Sequence, residues 1–270
     1  MPTTTVNGVR LYYELHGDSG EPLVLVHGYT GDVTDWRHEI PEFSKTHRVL
    51  VMDLRGHGRS ETPKDRSSYT VEQMASDVEA LIDQVGFERY HLVGHSMGGA
   101  IVQEIAVHSP QRLLSLTLED TSFKFALMAE PAVEEWWKTR MALAQAGKMA
   151  ELAELPPPMP PPPHMPEERL EETKVRLAKM SPDAFIGAWQ GLVGWQGTKD
   201  RAAAISMPTL IIYGDQDTPM LIEASKRLSE LLPNARVEVI PETGHSPQQE
   251  RPELFNRALR HHLEANAALG

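Results

Sequence analysis

Seven short apolar runs recur along the chain, separated by turn residues or by stretches with a helical pattern. They span residues 9–15, 23–26, 48–52, 91–93, 114–118, 209–213 and 236–240. The first run indicates a strand paired at an edge. Runs without polar alternation are typical of a parallel sheet that helices cover on both faces. The pattern therefore predicts buried strands in a mostly parallel sheet.

Helical patterns lie between these runs. Residues 70–85 place their apolar side chains on one stripe, with Thr70 and Gln73 as a capping box and Gly86 as a stop. Further helices are predicted at residues 97–108, 218–232 and 252–264. Because strands alternate with helices, the predicted fold class is α/β, with a doubly wound sheet.

The interval from about residue 121 to residue 207 contains no convincing strand and is too long for one ordinary crossover. It carries helical patterns at 131–147, 167–180 and around 183–192, and a proline run from Pro156 to Pro163. We therefore predict a helical lid at residues 122–207, inserted between a core part at 1–121 and a core part at 208–270. The proline run is predicted to be a stiff spacer. A ligand for a proline-binding domain is the alternative.

Composition excludes several kinds of site. The chain has 270 residues, with 26 Lys and Arg against 38 Asp and Glu, a net charge of −12 and no cysteine. Without cysteine it has no disulfide, zinc–thiolate centre, iron–sulfur cluster or cysteine nucleophile. The acidic balance opposes a nucleic-acid partner. With 40% hydrophobic residues, the chain suits one large α/β domain with an insertion.

The N-terminal residues show no basic stretch followed by an apolar run, so no secretory signal is visible. No segment approaches the roughly 18 apolar residues of a membrane span. We therefore expect a cytoplasmic protein that has no membrane partner. The sequence does not indicate its oligomeric state.

The most specific motif is Gly94-His95-Ser96-Met97-Gly98, which follows the run at 91–93 and precedes a helical pattern. In that context G-x-S-x-G predicts a nucleophile elbow, a tight turn that leaves the serine hydroxyl projecting. Glycine fits where chain segments approach closely, and the helix N-terminus supplies positive potential for an oxyanion. The alternative is a glycine-rich turn that binds phosphate, but neither G-x-G-x-x-G nor G-x-x-x-x-G-K-[ST] is present.

A serine hydroxyl needs a base to become nucleophilic, and the base needs an orienting acid. Of the 12 histidines, His245 lies in a turn directly after the run at 236–240. Asp217 follows the run at 209–213 and is the candidate acid, with Asp215 and Asp120 as rivals. Because ligand sites of open α/β sheets lie at the carboxyl ends of strands, these side chains are predicted to converge there.

The chain order Ser96, Asp217, His245 is that of the α/β-hydrolase triad, and the sequence resembles that superfamily over nearly its whole length. The further motifs that carry the resemblance are HGYTG at 27–31, DLRGHGRS at 53–60, and Gly244-His245 followed by ERPE at 250–253. The resemblance implies that Asp217 rather than Asp215 is the acid. It also implies that the backbone N–H groups of Tyr29 and Met97 form the oxyanion hole, and that loop 53–60 is structural.

Ser96 at the elbow disfavours two classes of reaction, because the dehalogenases and epoxide hydrolases of this superfamily carry Asp at that position. The predicted function is a serine hydrolase that cleaves a carboxylic ester through an acyl-enzyme, without cofactor or metal. A lactonase, a C–C bond hydrolase or a perhydrolase would use the same triad. A non-catalytic small-molecule receptor on the same fold is the minor alternative.

The substrate is predicted to be a small-to-medium, largely apolar ester. The insertion is rich in Trp and Met, and no clustered Lys and Arg face would select an anion. The alternative is that most of these side chains pack the core of the lid. The predicted substrate-binding residues are His27, Gly28, Tyr29, Met97, Trp136 and Trp189.

No metal ligand set is predicted, since H-E-x-x-H is absent. The adjacent pair His261 and His262 is expected at a solvated helix end, where neighbouring side chains point apart.

Overall fold

One sheet of eight strands forms the centre of the molecule in the computed structural model, which describes residues 2–125, 131–156 and 164–267. Within these ranges the strands are β1 (Thr3–Val6), β2 (Val9–His16), β3 (Pro22–Val26), β4 (Arg48–Met52), β5 (Tyr90–His95), β6 (Leu113–Glu119), β7 (Thr209–Gly214) and β8 (Ala235–Ile240). Their spatial order is β1-β2-β4-β3-β5-β6-β7-β8. β2 is antiparallel to β1 and β4, and the other neighbours are parallel.

The predicted edge strand at residues 9–15 does not lie at the edge. β1 pairs with β2 and takes the outer position, with Val6 opposite Val9. The hydrophobic pattern missed β1 because three of its four residues are threonines and only Val6 is buried.

Helices cover both faces of the sheet, as the alternating pattern predicts. Within the described residues they are α1 (Glu39–Phe43), α2 (Val71–Gln84), α3 (Met97–His108), α4 (Pro131–Gln145), α5 (Met149–Ala153), α6 (Glu167–Lys179), α7 (Pro182–Gly194), α8 (Pro219–Leu231), α9 (Pro247–Glu250) and α10 (Pro252–Ala265). Thr70 caps α2 by accepting a hydrogen bond from Gln73 N at 3.1 Å. None of the helices in these ranges is long and apolar enough to cross a membrane.

The core has a layer on each side of the sheet, because successive residues of a strand point to opposite faces. On β3, Val24 and Val26 pack with α2, α3 and α8, whereas Leu23 and Leu25 pack with α1 and α10. Because β3 to β8 are parallel, their carboxyl ends lie at one edge of the sheet, where the loops after β3, β5, β7 and β8 come together.

The chain between β6, the sixth strand, and β7 is helical in its described parts, α4 to α7. These helices have a small core of their own, formed by Ala144, Met149, Leu152, Ala153, Leu177, Phe185 and Ile186. The proline run predicted as a spacer falls at residues 157–163, outside the described residues, apart from Pro156.

The predicted solvated helix end is wrong for His262. Its side chain is buried, and its Nε2 lies 3.1 Å from the carbonyl oxygen of Leu116. His261, one position earlier, is exposed. Neighbouring positions of a helix face different directions, so only one of the two can point at the sheet.

The loop at residues 53–60 is structural, as expected. Asp53 accepts hydrogen bonds from Val33 N and Arg59 N, both at 2.8 Å. Arg55 forms a buried ion pair with Asp77, and its Nη2 lies 2.8 Å from Asp77 Oδ1.

Candidate active site

Ser96 lies in the turn between β5 and α3 with backbone angles φ 53° and ψ −113°. This conformation is strained for a residue with a side chain, and such strain persists only where the surroundings enforce it. The surroundings do so with two hydrogen bonds: Ser96 N donates to Glu119 O at 2.9 Å, and Thr121 Oγ1 donates to Ser96 O at 2.7 Å. The sequence prediction of an elbow at this serine is therefore matched by the local backbone.

The two glycines of the elbow are required by close approach of the backbone. A Cβ atom at Gly94 would lie 2.4 Å from Gly98 O, and one at Gly98 would lie 2.3 Å from Val26 O. Real Cβ atoms do not approach an oxygen so closely, so any side chain here would push strand and helix apart.

His245 joins Ser96 to Asp217. Its Nε2 lies 2.9 Å from Ser96 Oγ, and its Nδ1 lies 2.8 Å from Asp217 Oδ2. Because an ionised carboxylate only accepts, Nδ1 carries the hydrogen and Nε2 is free to accept from the serine hydroxyl. Burial lowers the pKa of His245, but the charge and hydrogen bond of Asp217 outweigh burial and leave this pKa above its ordinary value.

The loop that carries His245, between β8 and α9, is held by buried polar groups. Glu250 accepts hydrogen bonds from Gly244 N at 2.8 Å and from Ser246 N at 3.0 Å. His95 Nε2 lies 2.7 Å from the backbone oxygen of His245. These contacts fix the direction of the imidazole relative to the elbow.

Asp215 and Asp217, the two candidate acids that follow β7, have different partners in the structure. Asp217 points to His245, and its Oδ1 accepts from Thr218 N at 2.6 Å. Asp215 instead accepts from Glu242 N at 2.7 Å, in the turn after β8. Burial raises the pKa of Asp217, but His245 and the hydrogen bonds lower this pKa by more, so that Asp217 is ionised.

Asp120, the third rival, lies next to Asp217 at the end of β6. It is fully buried, and its Oδ1 accepts from Gly214 N at 3.1 Å. Burial and the nearby charge of Asp217 hold the pKa of Asp120 well above its usual range, so Asp120 keeps its proton. Of the described residues, Asp120, Asp217 and His245 are the set with three possible metal-ligating atoms within 4.8 Å of one another. Within this set, His245 Nδ1 is already hydrogen-bonded to Asp217 Oδ2.

The two residues predicted to supply the oxyanion-hole N–H groups, Tyr29 and Met97, belong to the chain segments next to Ser96. Met97 begins α3, where the first N–H groups lack a helical acceptor. The Tyr29 N–H forms no hydrogen bond with another described residue. The Gly28 backbone brings the Tyr29 loop close to the elbow, since a Cβ atom at Gly28 would lie 3.2 Å from Ser96 Cβ.

Two of the predicted substrate-binding side chains lie inside the core. His27 has no exposed surface; its Nδ1 lies 2.7 Å from Gly28 O, and its Nε2 accepts from Leu54 N at 3.0 Å. The Met97 side chain is also fully buried. The imidazole of His27 therefore holds the loop in place, and the Met97 side chain packs in the main core.

Aromatic side chains of the insertion surround the Tyr29 ring. Trp137 and Trp189 are stacked, with ring centroids 3.6 Å apart. Their centroids lie 6.0 and 5.9 Å, respectively, from the centroid of the Tyr29 ring. The Tyr29 hydroxyl donates to Phe185 O at 2.7 Å. The predicted residue Trp189 is thus in the cluster, together with Trp137, which sequence reasoning did not select.

Trp136, the other predicted tryptophan, packs against Trp137. Its Nε1 donates to Pro156 O at 2.7 Å, and its ring meets the edge of Trp137. Trp195 is buried in the main core rather than in the core of the insertion, and its Nε1 donates to Glu104 Oε1 at 2.6 Å.

Sequence reasoning also missed Arg140, a buried arginine one turn after Trp136 and Trp137 on α4. The signal was present in the spacing, because residues three and four apart share a helix face. The guanidinium lies over the ring of Trp136 at 4.3 Å.

A cleft of about 740 Å³ lies between α6 and the loops at residues 30–37 and 56–62. Its lining includes Thr30, Arg59 and Lys179 but none of Ser96, Asp217 and His245. The cleft therefore borders the residues that follow Tyr29 and is not lined by the triad.

Comparison with known proteins agrees with the fold described above. The model of the alpha/beta hydrolase fold family matches residues 21–252. A putative carbamate hydrolase RutD of Caulobacter sp. (strain K31) is 31% identical over 281 residues, covering 99% of this chain and 100% of the relative. The 3-oxoadipate enol-lactonase 2 of Acinetobacter baylyi is 27% identical, covering 95% of this chain and 94% of the relative.

A solved structure is similarly close. The enol-lactonase from Burkholderia xenovorans LB400 superposes with a TM-score of 0.86 at 26% identity, covering 97% of this chain and 100% of the other. The fold and the names of these relatives support a hydrolase activity. The chain therefore belongs to the α/β-hydrolase fold family.

Proposed function

We propose that this protein is a serine hydrolase that cleaves a carboxylic ester through an acyl-enzyme. The observation that carries the proposal is the continuous hydrogen-bonded chain from Ser96 Oγ through His245 to Asp217, at 2.9 and 2.8 Å. Nucleophile, base and orienting acid are the three roles that acyl transfer by a serine requires.

In the first half of the reaction, His245 Nε2 takes the proton of Ser96 as Oγ attacks the carbonyl carbon. The oxygen of the tetrahedral intermediate accepts hydrogen bonds from the N–H groups of Tyr29 and Met97. The intermediate collapses when His245 returns the proton to the leaving alcohol, which leaves the acyl group esterified to Ser96. Asp217 stabilises the imidazolium and holds its tautomer.

In the second half, His245 removes a proton from water, which attacks the acyl-enzyme carbonyl. The same two N–H groups bind the second oxyanion, and the proton returns to Ser96 Oγ as the acid product leaves. No cofactor is required at any step, because the side chains carry every proton transfer and the two backbone N–H groups stabilise the oxyanions.

The insertion at residues 122–207 would act as the lid of this site over the core formed by residues 1–121 and 208–270. Its Trp137 and Trp189, with Tyr29 of the core, provide an aromatic wall next to the oxyanion loop. Such a wall suits the apolar carbon chain of an acyl group.

A lactone is the second candidate substrate. The enol-lactonase structure covers 97% of this chain with a TM-score of 0.86, so a cyclic ester fits the same architecture. C–C bond hydrolysis and perhydrolysis need the same three side chains, and product analysis separates them from ester cleavage.

The test is labelling with a fluorophosphonate probe followed by peptide mapping, combined with a panel of chromogenic esters and lactones. We expect the probe on Ser96 and turnover of at least one ester series. Labelling at Ser96 with turnover of lactones alone would favour the second candidate. Absence of labelling in folded wild-type protein would overturn the proposal.

A further inference from the structure

Arg140 is a buried cation without a counterion in the part of the chain that the structure describes. Its side chain is 8% exposed, and its Nε is buried without a hydrogen-bond partner. The other buried arginines of the described residues are paired: Arg55 with the buried Asp77, and Arg169 with the buried Asp35. Burying an unpaired charge is unfavourable, so this position calls for an explanation.

Aromatic rings supply part of the compensation. The Arg140 guanidinium carbon lies 4.3 Å from the ring centroid of Trp136 and 5.4 Å from those of Trp137 and Phe185. Burial lowers the pKa of Arg140 to about 10, which leaves the group charged at neutral pH. Ring faces attract a cation but accept no hydrogen bonds of ordinary strength, so the buried Nε–H of Arg140 has no acceptor among the described residues.

Arg140 belongs to the aromatic cluster at the candidate active site. Phe185 and Trp137, which it contacts, are also the neighbours of the Tyr29 ring at 5.3 and 6.0 Å. The backbone of Tyr29 is the proposed oxyanion donor. An acyl chain that starts at Ser96 and follows the aromatic wall would therefore lead toward the guanidinium.

We propose that Arg140 is a specificity-determining residue that binds a carboxylate group on the acyl part of the substrate. The inference rests on the proposed function and names its substrate class: esters or lactones whose acyl chain carries a free carboxylate at its far end. A carboxylate satisfies the guanidinium with two parallel hydrogen bonds, and only a planar fork provides that geometry. This substrate class replaces the uncharged ester expected from the sequence.

The first experiment compares pairs of substrates that differ only in this group. Mono-4-nitrophenyl glutarate carries a carboxylate where 4-nitrophenyl pentanoate carries a methyl group, and the succinate–butanoate and adipate–hexanoate pairs vary the length. We expect the wild-type kcat/KM to favour the carboxylate member of at least one pair. In R140Q this preference should fall by about 10- to 150-fold, the range for a lost hydrogen bond to a charged group, while hydrolysis of the neutral ester changes less than about threefold.

Three further variants control for folding and for charge. R140K keeps the charge and the apolar stem but not the fork, so it should recover only part of the preference. R227Q removes an exposed arginine that pairs with Glu223 and should leave the preference unchanged. E130Q changes the acid before α4 that lies outside the described residues. A preference that depends on Glu130 as strongly as on Arg140 would overturn the inference.

A measurement of glutarate binding tests the role of Arg140 independently of catalysis. Titration of S96A with glutarate should quench tryptophan fluorescence saturably, because Trp136 and Trp137 lie against Arg140, and R140Q in the same background should abolish the response. Equal glutarate binding with and without Arg140 would overturn the inference. If the wild type hydrolyses pentanoate through Ser96 but prefers no carboxylate ester, the inference fails and the proposed function stands. If it hydrolyses no ester or lactone, the proposed function fails, and glutarate binding alone decides the inference.

Discussion

The carboxyl of Asp120 lies beside the carboxylate of Asp217 at the ends of neighbouring strands, with an oxygen of each within 4.8 Å of the other. Asp217 accepts hydrogen bonds from His245 Nδ1 and Thr218 N. Because both carboxyl groups are buried and close together, burial and the charge of Asp217 raise the pKa of Asp120, and one proton remains on the pair. The candidate acid of the active site is therefore held by two hydrogen bonds and has a protonated neighbour.

Replacing Asp120 tests where this proton lies. D120N keeps the shape and a donor, and because Asp120 is neutral, the substitution should leave the acidic limb of the kcat/KM profile in place. D120A removes the protonated carboxyl beside Asp217, so the carboxylate of Asp217 becomes more basic and the limb should move to higher pH. The measurement is kcat/KM from about pH 5 to 9. A shift of the limb to lower pH in D120N would show instead that Asp120 is ionised in the native enzyme.

The pH dependence of the wild type follows from His245. Asp217 raises the pKa of His245 above its ordinary value, and only the neutral imidazole can accept the proton of Ser96. We expect kcat/KM to fall as pH drops through that raised pKa. D217N should lower this pKa and reduce kcat by about four orders of magnitude, as expected when the imidazole loses its orienting acid. A flat profile across the histidine titration would remove His245 from the role of base.

Gly98 should tolerate no side chain. The Cβ of alanine would lie 2.3 Å from Val26 O, so G98A must displace backbone and should lower the free energy of unfolding by about 1–3 kcal/mol or more. G194A at the end of α7 is the matched control, because a Cβ there meets no atom within 4 Å. Urea denaturation of both variants is the measurement. Equal stabilities would contradict the close approach described for the elbow.

Arg169 should be the main attachment of the insertion to the loop region around His245. Its buried guanidinium donates to Asp35 at 2.9 Å and to Gln249 of α9 at 2.8 and 2.9 Å. Breaking a buried pair leaves an uncompensated charge, so R169M should lower the free energy of unfolding by about 3–5 kcal/mol. R227Q, which breaks an exposed pair, should cost less than about 1 kcal/mol. A small effect of R169M would show that α6 is held by its apolar contacts.

The predicted site residues that the structure brings together are those for which a short motif dictates the local backbone. The elbow at Ser96 needs Gly94 and Gly98 for steric reasons, and the position of His245 directly after a strand brings it to the same sheet edge as Asp217. These relationships follow from chain order and strand ends alone.

The features that the sequence did not predict depend on packing between distant segments. Trp136 and Trp137 are neighbours in sequence, and only the rotation of α4 against Tyr29 decides which ring joins the cluster. His262 is buried for the same kind of reason. Arg140 has no carboxylate partner in the described structure, and the absence of a counterion leaves no local pattern in the sequence.

The acyl-transfer scheme as a whole is tested most directly by the kinetics of S96A. With the nucleophile removed and the fold retained, shown by an unchanged Tm, kcat for the best chromogenic ester should fall by about six orders of magnitude. Intact-protein mass spectrometry of a quenched wild-type reaction should then show the acyl adduct that S96A lacks. Turnover by folded S96A within about tenfold of wild type would contradict the account.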